Sequence, residues 1–328
     1  MRVFVTGASG FIGAAVVRDL VDHGHEVTGL VRSDEAATRL RAAGVKARSG
    51  TIEDLDLLSR EAANADGVIH TAFFHAFSQA SLGVRLRVLL GGGPRGIVSR
   101  FMTVAVEADR RAIEALGRAL PREGSPLVAA FPTMAMTAGR VALETDYADP
   151  EAVGGLRARS EQQVHALART GVRASLVRLP PSVHDETKQG LVTQLIATAR
   201  KTRASAYVGY GGNRWCAVHR QDAASLFRLA LELGEAGAHY HAIGEEPLTF
   251  RTIAEAIGAS LGIPVRNLDP NEAAKQFSWL APFVGADNPV SSLDTQARLG
   301  WQADHPGLLA DIGTALQAPQ SDGTRPPD

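Results

Sequence analysis

The first seventy residues alternate between short runs that are apolar almost throughout and longer stretches whose apolar positions recur every three or four residues. Arg2-Val3-Phe4-Val5-Thr6 is a β-rich run that ends at Gly7, after which Ile12, Val16 and Leu20 recur at fourfold spacing with Val17 and Val21 beside them. The pattern predicts strand, turn and helix. Gly24 stops the helix in the C′ position, and Val27 to Val31 form a second apolar run of the kind buried on both faces of a parallel sheet. The alternation continues with a helix from Glu35 to Ala43, a strand around Val45 to Ala47, a helix near Leu55 to Ala63 and a strand from Gly67 to Ala72. A helix from Ala108 to Leu120, a strand from Leu127 to Ala130, a helix from Arg157 to Thr170 and a strand from Ala174 to Leu179 follow. Such an order predicts an α/β chain with a Rossmann-type doubly wound parallel sheet.

Two interruptions divide the chain. Between residues 73 and 106 the pattern breaks into apolar residues separated by Arg and then a Gly-rich run, where a direct strand-to-helix connection needs about two to six residues. An insertion is expected there, as a lid, an oligomer contact or a surface loop. At Pro180-Pro181 the regular alternation gives way to shorter elements. The expected organisation is a nucleotide-binding domain over 1–180, a smaller α/β substrate lobe over 181–316 and a disordered tail over 317–328. The lobe is expected to hold helices near Leu191 to Arg200, Gln221 to Glu232 and Thr252 to Leu261, with short strands at Ala206 to Val208, Ala217 to His219 and Tyr240 to Ile243.

Composition narrows the function classes. Of 328 residues 45% are hydrophobic, and 34 basic residues nearly cancel 35 acidic ones, which suits a globular protein with a large core and argues against nucleic acid as the main partner. A single cysteine, Cys216, excludes an internal disulfide and a structural zinc site built on paired thiolates. Without an apolar run approaching about 18 residues or a leader-like start, no membrane partner and a cytoplasmic location are expected.

Thr6-Gly7-Ala8-Ser9-Gly10-Phe11-Ile12-Gly13 places glycines three apart between the first strand and the first helix. There the backbone can approach a pyrophosphate, and the helix N-terminus offers unpaired N–H groups and its positive end. Gly7, Ser9, Gly10, Phe11, Ile12 and Gly13 are therefore expected to bind a dinucleotide. Near the end of the second strand a carboxylate would accept hydrogen bonds from the ribose 2′-hydroxyl; the residue here is Arg32, whose guanidinium suits a 2′-phosphate and predicts NADP as the cofactor.

With these motifs the chain resembles the short-chain dehydrogenase/reductase superfamily, in its atypical or extended branch of epimerase/dehydratase-like proteins, over residues 1 to about 315. The resemblance is carried also by residues 50–54, by His70-Thr71-Ala72, by Val177 to His184, and by Arg214 to His219 leading to Asp222. It implies that Ile52 flanks adenine, that Thr71 and Ala72 run beside the cofactor ribose, and that Pro180 and Val183 close over nicotinamide. It also implies a homodimer. The catalytic part of the pattern departs. The Tyr-x-x-x-Lys segment of the family aligns with Arg157-Ala158-Arg159-Ser160-Glu161, which holds neither Tyr nor Lys; Thr133 stands nearest the family's Ser or Thr, and Asp109 where Asn is common.

Arg157 cannot donate a proton as Tyr does, because its pKa lies above about 12. It would polarise a carbonyl, bind a carboxylate, or simply pair with Glu161 at i, i+4 on the surface. His184, after the Pro-Pro turn, has the near-neutral pKa that proton transfer needs, or is a loop histidine bonded to backbone. His70, His75, Tyr207, Tyr210 and Tyr240 are further candidates, each more simply structural. Phe73, Phe74, Phe131, Met134, Met136 and Trp215 would supply an apolar wall, or core. The histidines considered have no carboxylate companions at metal-ligand spacing, so no metal is expected. The leading reading is an NADPH-dependent reductase of a C=O or C=N bond in a small, fairly apolar molecule, with Thr133, Asp109, Arg157 and His184 as the catalytic candidates. An imine would need less help from an enzyme acid. The alternatives are a non-catalytic NADP-binding sensor or scaffold, and a sugar-nucleotide epimerase or dehydratase.

Overall fold

A computed structural model describes residues 1–74, 85–86, 88, 90–92 and 96–317. Fifteen of the 34 residues of the expected insertion, His75 among them, and residues 318–328 lie outside the described residues. The first half runs β1 (Arg2–Thr6), α1 (Phe11–Asp22), β2 (Glu26–Val31), α2 (Asp34–Ala42), β3 (Lys46–Ser49), α3 (Leu55–Ala63), β4 (Gly67–His70), α4 (Ile97–Ala119), β5 (Pro126–Pro132), α5 (Ala158–Ala168) and β6 (Arg173–Leu179). One boundary differs from the sequence reading by more than three residues. The helix expected from Ala108 begins at Ile97, within the supposed insertion, because Phe101 and Ala105 extend the buried stripe of Asp109, Ala112, Ile113 and Leu116 by two turns.

After β6 come β7 (Ser182–His184), α6 (Val192–Thr202), β8 (Ser205–Val208), β9 (Arg214–Trp215), β10 (Ala217–His219), α7 (Arg220–Leu233), β11 (His239–His241), β12 (Leu248–Thr249), α8 (Phe250–Leu261) and β13 (Val265–Leu268). Four helices close the described chain: α9 (Pro270–Phe277), α10 (Ala281–Val284), α11 (Leu293–Leu299) and α12 (Leu308–Gln317). The central sheet has seven parallel strands in the order β11-β6-β5-β4-β1-β2-β3. Two elements within 181–316 thus return to this layer. β11 pairs with β6, so Tyr240 is a sheet residue rather than a residue of a separate lobe, and α7 packs on α1.

Alternation along each strand divides the core. Val3 and Val5 face a cluster with Val16, Leu20, Phe227 and Leu231, whereas Phe4 faces the opposite cluster with Leu58, Ile113, Leu116 and Leu167. A third cluster, including Trp215, Phe250, Ile253 and Ile312, supports the remaining lobe. The strand order reverses between β4 and β1, and in open α/β sheets such a switch point opens a crevice at the carboxyl ends of the strands.

Candidate functional site at the sheet switch point

The turn after β1 admits only glycine at two of its three glycines. Gly7 has φ +71°, and a Cβ there would lie 2.9 Å from Thr71 Oγ1 and the Ala72 nitrogen at the end of β4. A Cβ on Gly13 would come within 2.1 Å of the Gly7 carbonyl oxygen, so α1 can press against the turn only without a side chain. Gly10 occupies the N-cap, no side chain caps the helix, and no acidic residue stands in its first turn. The first N–H groups and the positive end of α1 are therefore available to an anion. Ser9 is exposed and Phe11 and Ile12 are half-buried at this mouth. Lys188 and Arg220 lie over the Phe11 ring, 5.4 and 5.0 Å from its centroid, which adds positive charge nearby.

The other expected cofactor residues are distributed as follows. Arg32 is exposed just beyond β2, and its side chain makes no hydrogen bond or ion pair among the described residues. Thr71 donates its hydroxyl hydrogen to the Thr6 carbonyl at 2.8 Å, and Ala72 follows half-buried. Ile52 is buried among Phe4, Leu30 and Leu58. Pro180 is buried, and Val183 packs in the core cluster that also contains Ala8, with Phe11 and Ile12 against it.

Beside this turn lies a buried polar network. Two glycines place Arg157: a Cβ on Gly155 would meet the Asp149 and Pro150 carbonyls at 2.4 and 2.3 Å, and one on Gly154 would meet the Met134 backbone at 2.9 Å. The chain can thus fold tightly into the 3₁₀ turn Gly155–Arg157 ahead of α5. Arg157 Nη2 lies 3.3 Å from Asp109 Oδ2 and donates to the Ala130 carbonyl at 2.8 Å. Ser160 donates to the same Asp109 oxygen at 2.5 Å, and His70 Nε2 stands 3.3 Å from Oδ1. Burial alone would raise the Asp109 pKa, but Arg157, His70 and Ser160 outweigh it and hold the carboxyl below its ordinary value. An ionised Asp109 makes His70 Nε2 the donor, which leaves Nδ1 to accept from the Thr6 hydroxyl at 2.8 Å.

This geometry corrects the reading of Arg157 and Glu161 as a surface pair. Both are buried, and Glu161 bonds Arg178 at 2.5 Å instead. Arg157 lies over Phe73, 4.3 Å from the ring centroid, with Phe131 at 5.6 Å, and its buried Nε has no hydrogen-bond partner among the described residues. Burial lowers the Arg157 pKa while Asp109 opposes the shift. A guanidinium is not deprotonated in proteins, so Arg157 stays charged at neutral pH.

The remaining candidates do not join the network. Thr133 donates to Asn288 Oδ1 at 2.7 Å and receives the Asn288 amide on its carbonyl at 2.9 Å, so its hydroxyl is engaged in a buried reciprocal pair. His184 is held by side chains, with Nδ1 2.6 Å from Asp311 and Nε2 3.9 Å from Glu245. Tyr240 accepts from the Glu235 N–H at 2.8 Å, Tyr207 lies under Arg251, and Tyr210 is exposed. Phe74, Met134 and Met136 are core side chains, and Trp215 stacks edge-on against Phe250. The sequence reading missed Ser160 and Thr6. Ser160 had a signal, three residues after Arg157 and hence near it on the helix.

Comparison with known proteins bears on the family and the fold. The NAD dependent epimerase/dehydratase family matches residues 3–88. An uncharacterized protein of Schizosaccharomyces pombe is 42% identical over 315 residues, which span 96% of this chain and 99% of the relative. A 2-alkyl-3-oxoalkanoate reductase of Stenotrophomonas maltophilia is 27% identical over 276 residues, 80% of this chain and 77% of that protein. Among solved structures, a double mutant of a dTDP-glucose 4,6-dehydratase from Streptomyces venezuelae, with NAD bound, superposes with a TM-score of 0.72 at 20% identity and covers 96% of both chains. Among the described residues no helix is long and apolar enough to cross a membrane. By the family model over its first strands and glycine turn, and by a fold shared with the dehydratase, the chain belongs to the short-chain dehydrogenase/reductase superfamily, within the NAD(P)-dependent epimerase/dehydratase family.

Proposed function

We propose that the protein is an NADPH-dependent reductase of a small carbonyl compound. The residues suited to holding the cofactor are the turn 7–13, the uncapped start of α1 and the unpartnered Arg32, which would meet a 2′-phosphate. When bound, NADPH supplies hydride to an electrophilic carbon.

The observation that carries the reductase reading is the orphaned Nε–H of Arg157, a buried donor at the residue with which the family's Tyr aligns best by resemblance. Leaving such a donor unpaired costs about 1–3 kcal/mol, and a carbonyl oxygen would satisfy it. Negative charge that develops on that oxygen is favoured by the same fixed guanidinium. The same donor favours one of the two bond types. An iminium ion carries an N–H donor and a positive charge, neither of which suits Arg157, so C=O is favoured over C=N. Phe73 and Phe131 beside the guanidinium fit a fairly apolar substrate. The 3-oxoalkanoate reductase relative supports 3-oxo acids as the first class to try.

Consumption of NADPH with a panel of 3-oxo acids, ketones and imines tests the reading. Turnover is expected on at least one ketone and to fall by about 10²–10³ in Arg157→Gln. Tight NADPH binding without turnover on any member would favour a sensor instead, and cofactor retained with no net redox change would favour an epimerase or dehydratase.

A further inference from the structure

Away from the switch point, α5 carries a second constellation. Glu161 and His165 lie one turn apart on this helix, and β11 brings His239 against them. The Nε2 atoms of His165 and His239 are 2.9 Å apart, and His239 Nε2 is 3.4 Å from Glu161 Oε1. We propose that Glu161, His165 and His239 form a binding site for a divalent transition metal of the zinc class.

The argument is one of counting protons. His239 Nδ1 lies 2.9 Å from the Glu144 carbonyl, which can only accept, so that nitrogen carries a hydrogen and, in the neutral ring, Nε2 is a lone pair. Its Nε2 thus faces two other acceptor atoms. A proton on His165 Nε2 would resolve the 2.9 Å contact and leave the 3.4 Å contact to Glu161 as acceptor against acceptor. One cation inside the triangle resolves both. Ligand atoms on a tetrahedral zinc at ~2.0–2.1 Å stand roughly 3.3 Å apart, near the two contacts of His239, and all three ligand atoms lie within 4.8 Å of one another, so His165, the most exposed of the three, would close in on the ion.

The donor set has the same character. Two imidazoles select zinc-like metals over magnesium or calcium, and one carboxylate with two imidazoles leaves a fourth position open. The bond from His239 Nδ1 to a backbone carbonyl is the outer contact that orients a metal-binding histidine. Glu161 Oε2 is likewise fixed by the Ala148 N–H at 2.8 Å. The site is reachable, since His165 is half-buried and the Tyr147 ring that packs on both imidazoles is 67% exposed. Arg178 on the same Glu161 oxygen opposes a dication and lowers its affinity without occupying a ligand position. The His219, Asp222 and His305 group is a poorer candidate. Its two imidazoles stack face to face at 6° rather than converging, and Asp222 already receives the Asp304 and His305 N–H groups.

The test uses full-length protein without a histidine tag, stripped with a chelator and titrated with Co(II) and then Zn(II) by calorimetry and visible absorption. About one equivalent should bind, with the d–d absorption of four- or five-coordinate cobalt displaced by zinc. Circular dichroism should show His165→Ala folded, as expected for a half-buried residue, with affinity lowered more than about 10-fold. His305→Ala should bind as the parent does. The proposal is overturned if no d–d absorption appears, if His165→Ala binds equally well, or if His305→Ala is the variant that loses the metal.

Discussion

Replacing Arg157 by Leu separates the buried network from the surface pair that residue spacing alone suggests. In the folded chain the guanidinium lies 3.3 Å from Asp109, whose side chain is 1% exposed, and it also bonds the Ala130 carbonyl. Removing one partner of a buried ion pair costs about 3–5 kcal/mol. Asp109 would keep its contacts to Ser160 and His70, which places the expectation near the lower end, about 3 kcal/mol. An exposed i, i+4 pair with Glu161 would be worth roughly 0.3–0.5 kcal/mol. Urea unfolding of the parent, Arg157→Leu, Asp109→Asn and the double variant measures both the loss and the coupling, which should exceed about 1 kcal/mol. A folded-state pKa depressed by the network makes the Asp109 contribution complete above the unfolded value of about 3.9 and lost as pH falls through the lower folded value. The gap between parent and Arg157→Leu should therefore narrow in acid. A loss under about 0.5 kcal/mol at neutral pH, or additive single effects, would refute the reasoning.

Two further outcomes concern residues with a structural role. Thr133→Val should cost about 1–3 kcal/mol in thermal or urea unfolding by stranding Asn288 Oδ1, with the dinucleotide affinity unchanged; a normal stability with lost turnover would return Thr133 to the chemistry. Burial raises the Cys216 thiol to about 12, so a thiol reagent at neutral pH should label it only after unfolding, and rapid labelling of native protein would contradict its placement in the core.

How much of this was legible in the sequence follows from the range of the interactions involved. β1 to β6 and the turn at Gly7 are local: each strand is a short apolar run, each helix a periodic one, and glycines mark the joins. β11 was misplaced because its neighbour β6 is some sixty residues earlier and its three residues include two histidines, which no apolar pattern marks as sheet core. Arg157 was identified as the departure from the family pattern, yet its partner was not, since Asp109 comes from another helix and a nearer carboxylate stood at i, i+4. Asp109 did carry a trace, as a charged residue in the apolar stripe of α4. The Glu161, His165 and His239 group left none beyond the helical spacing of its first two members, because its third ligand arrives only when the sheet forms.

The most direct test of the account is a parallel titration of NADPH and NADH into the parent and Arg32→Asp, followed by nicotinamide fluorescence. Loss of one guanidinium–phosphate contact worth about 1.5–3 kcal/mol should weaken NADPH by roughly 10- to 100-fold and leave NADH as tight or tighter. Absence of binding by either dinucleotide, or an unchanged preference in Arg32→Asp, would contradict it.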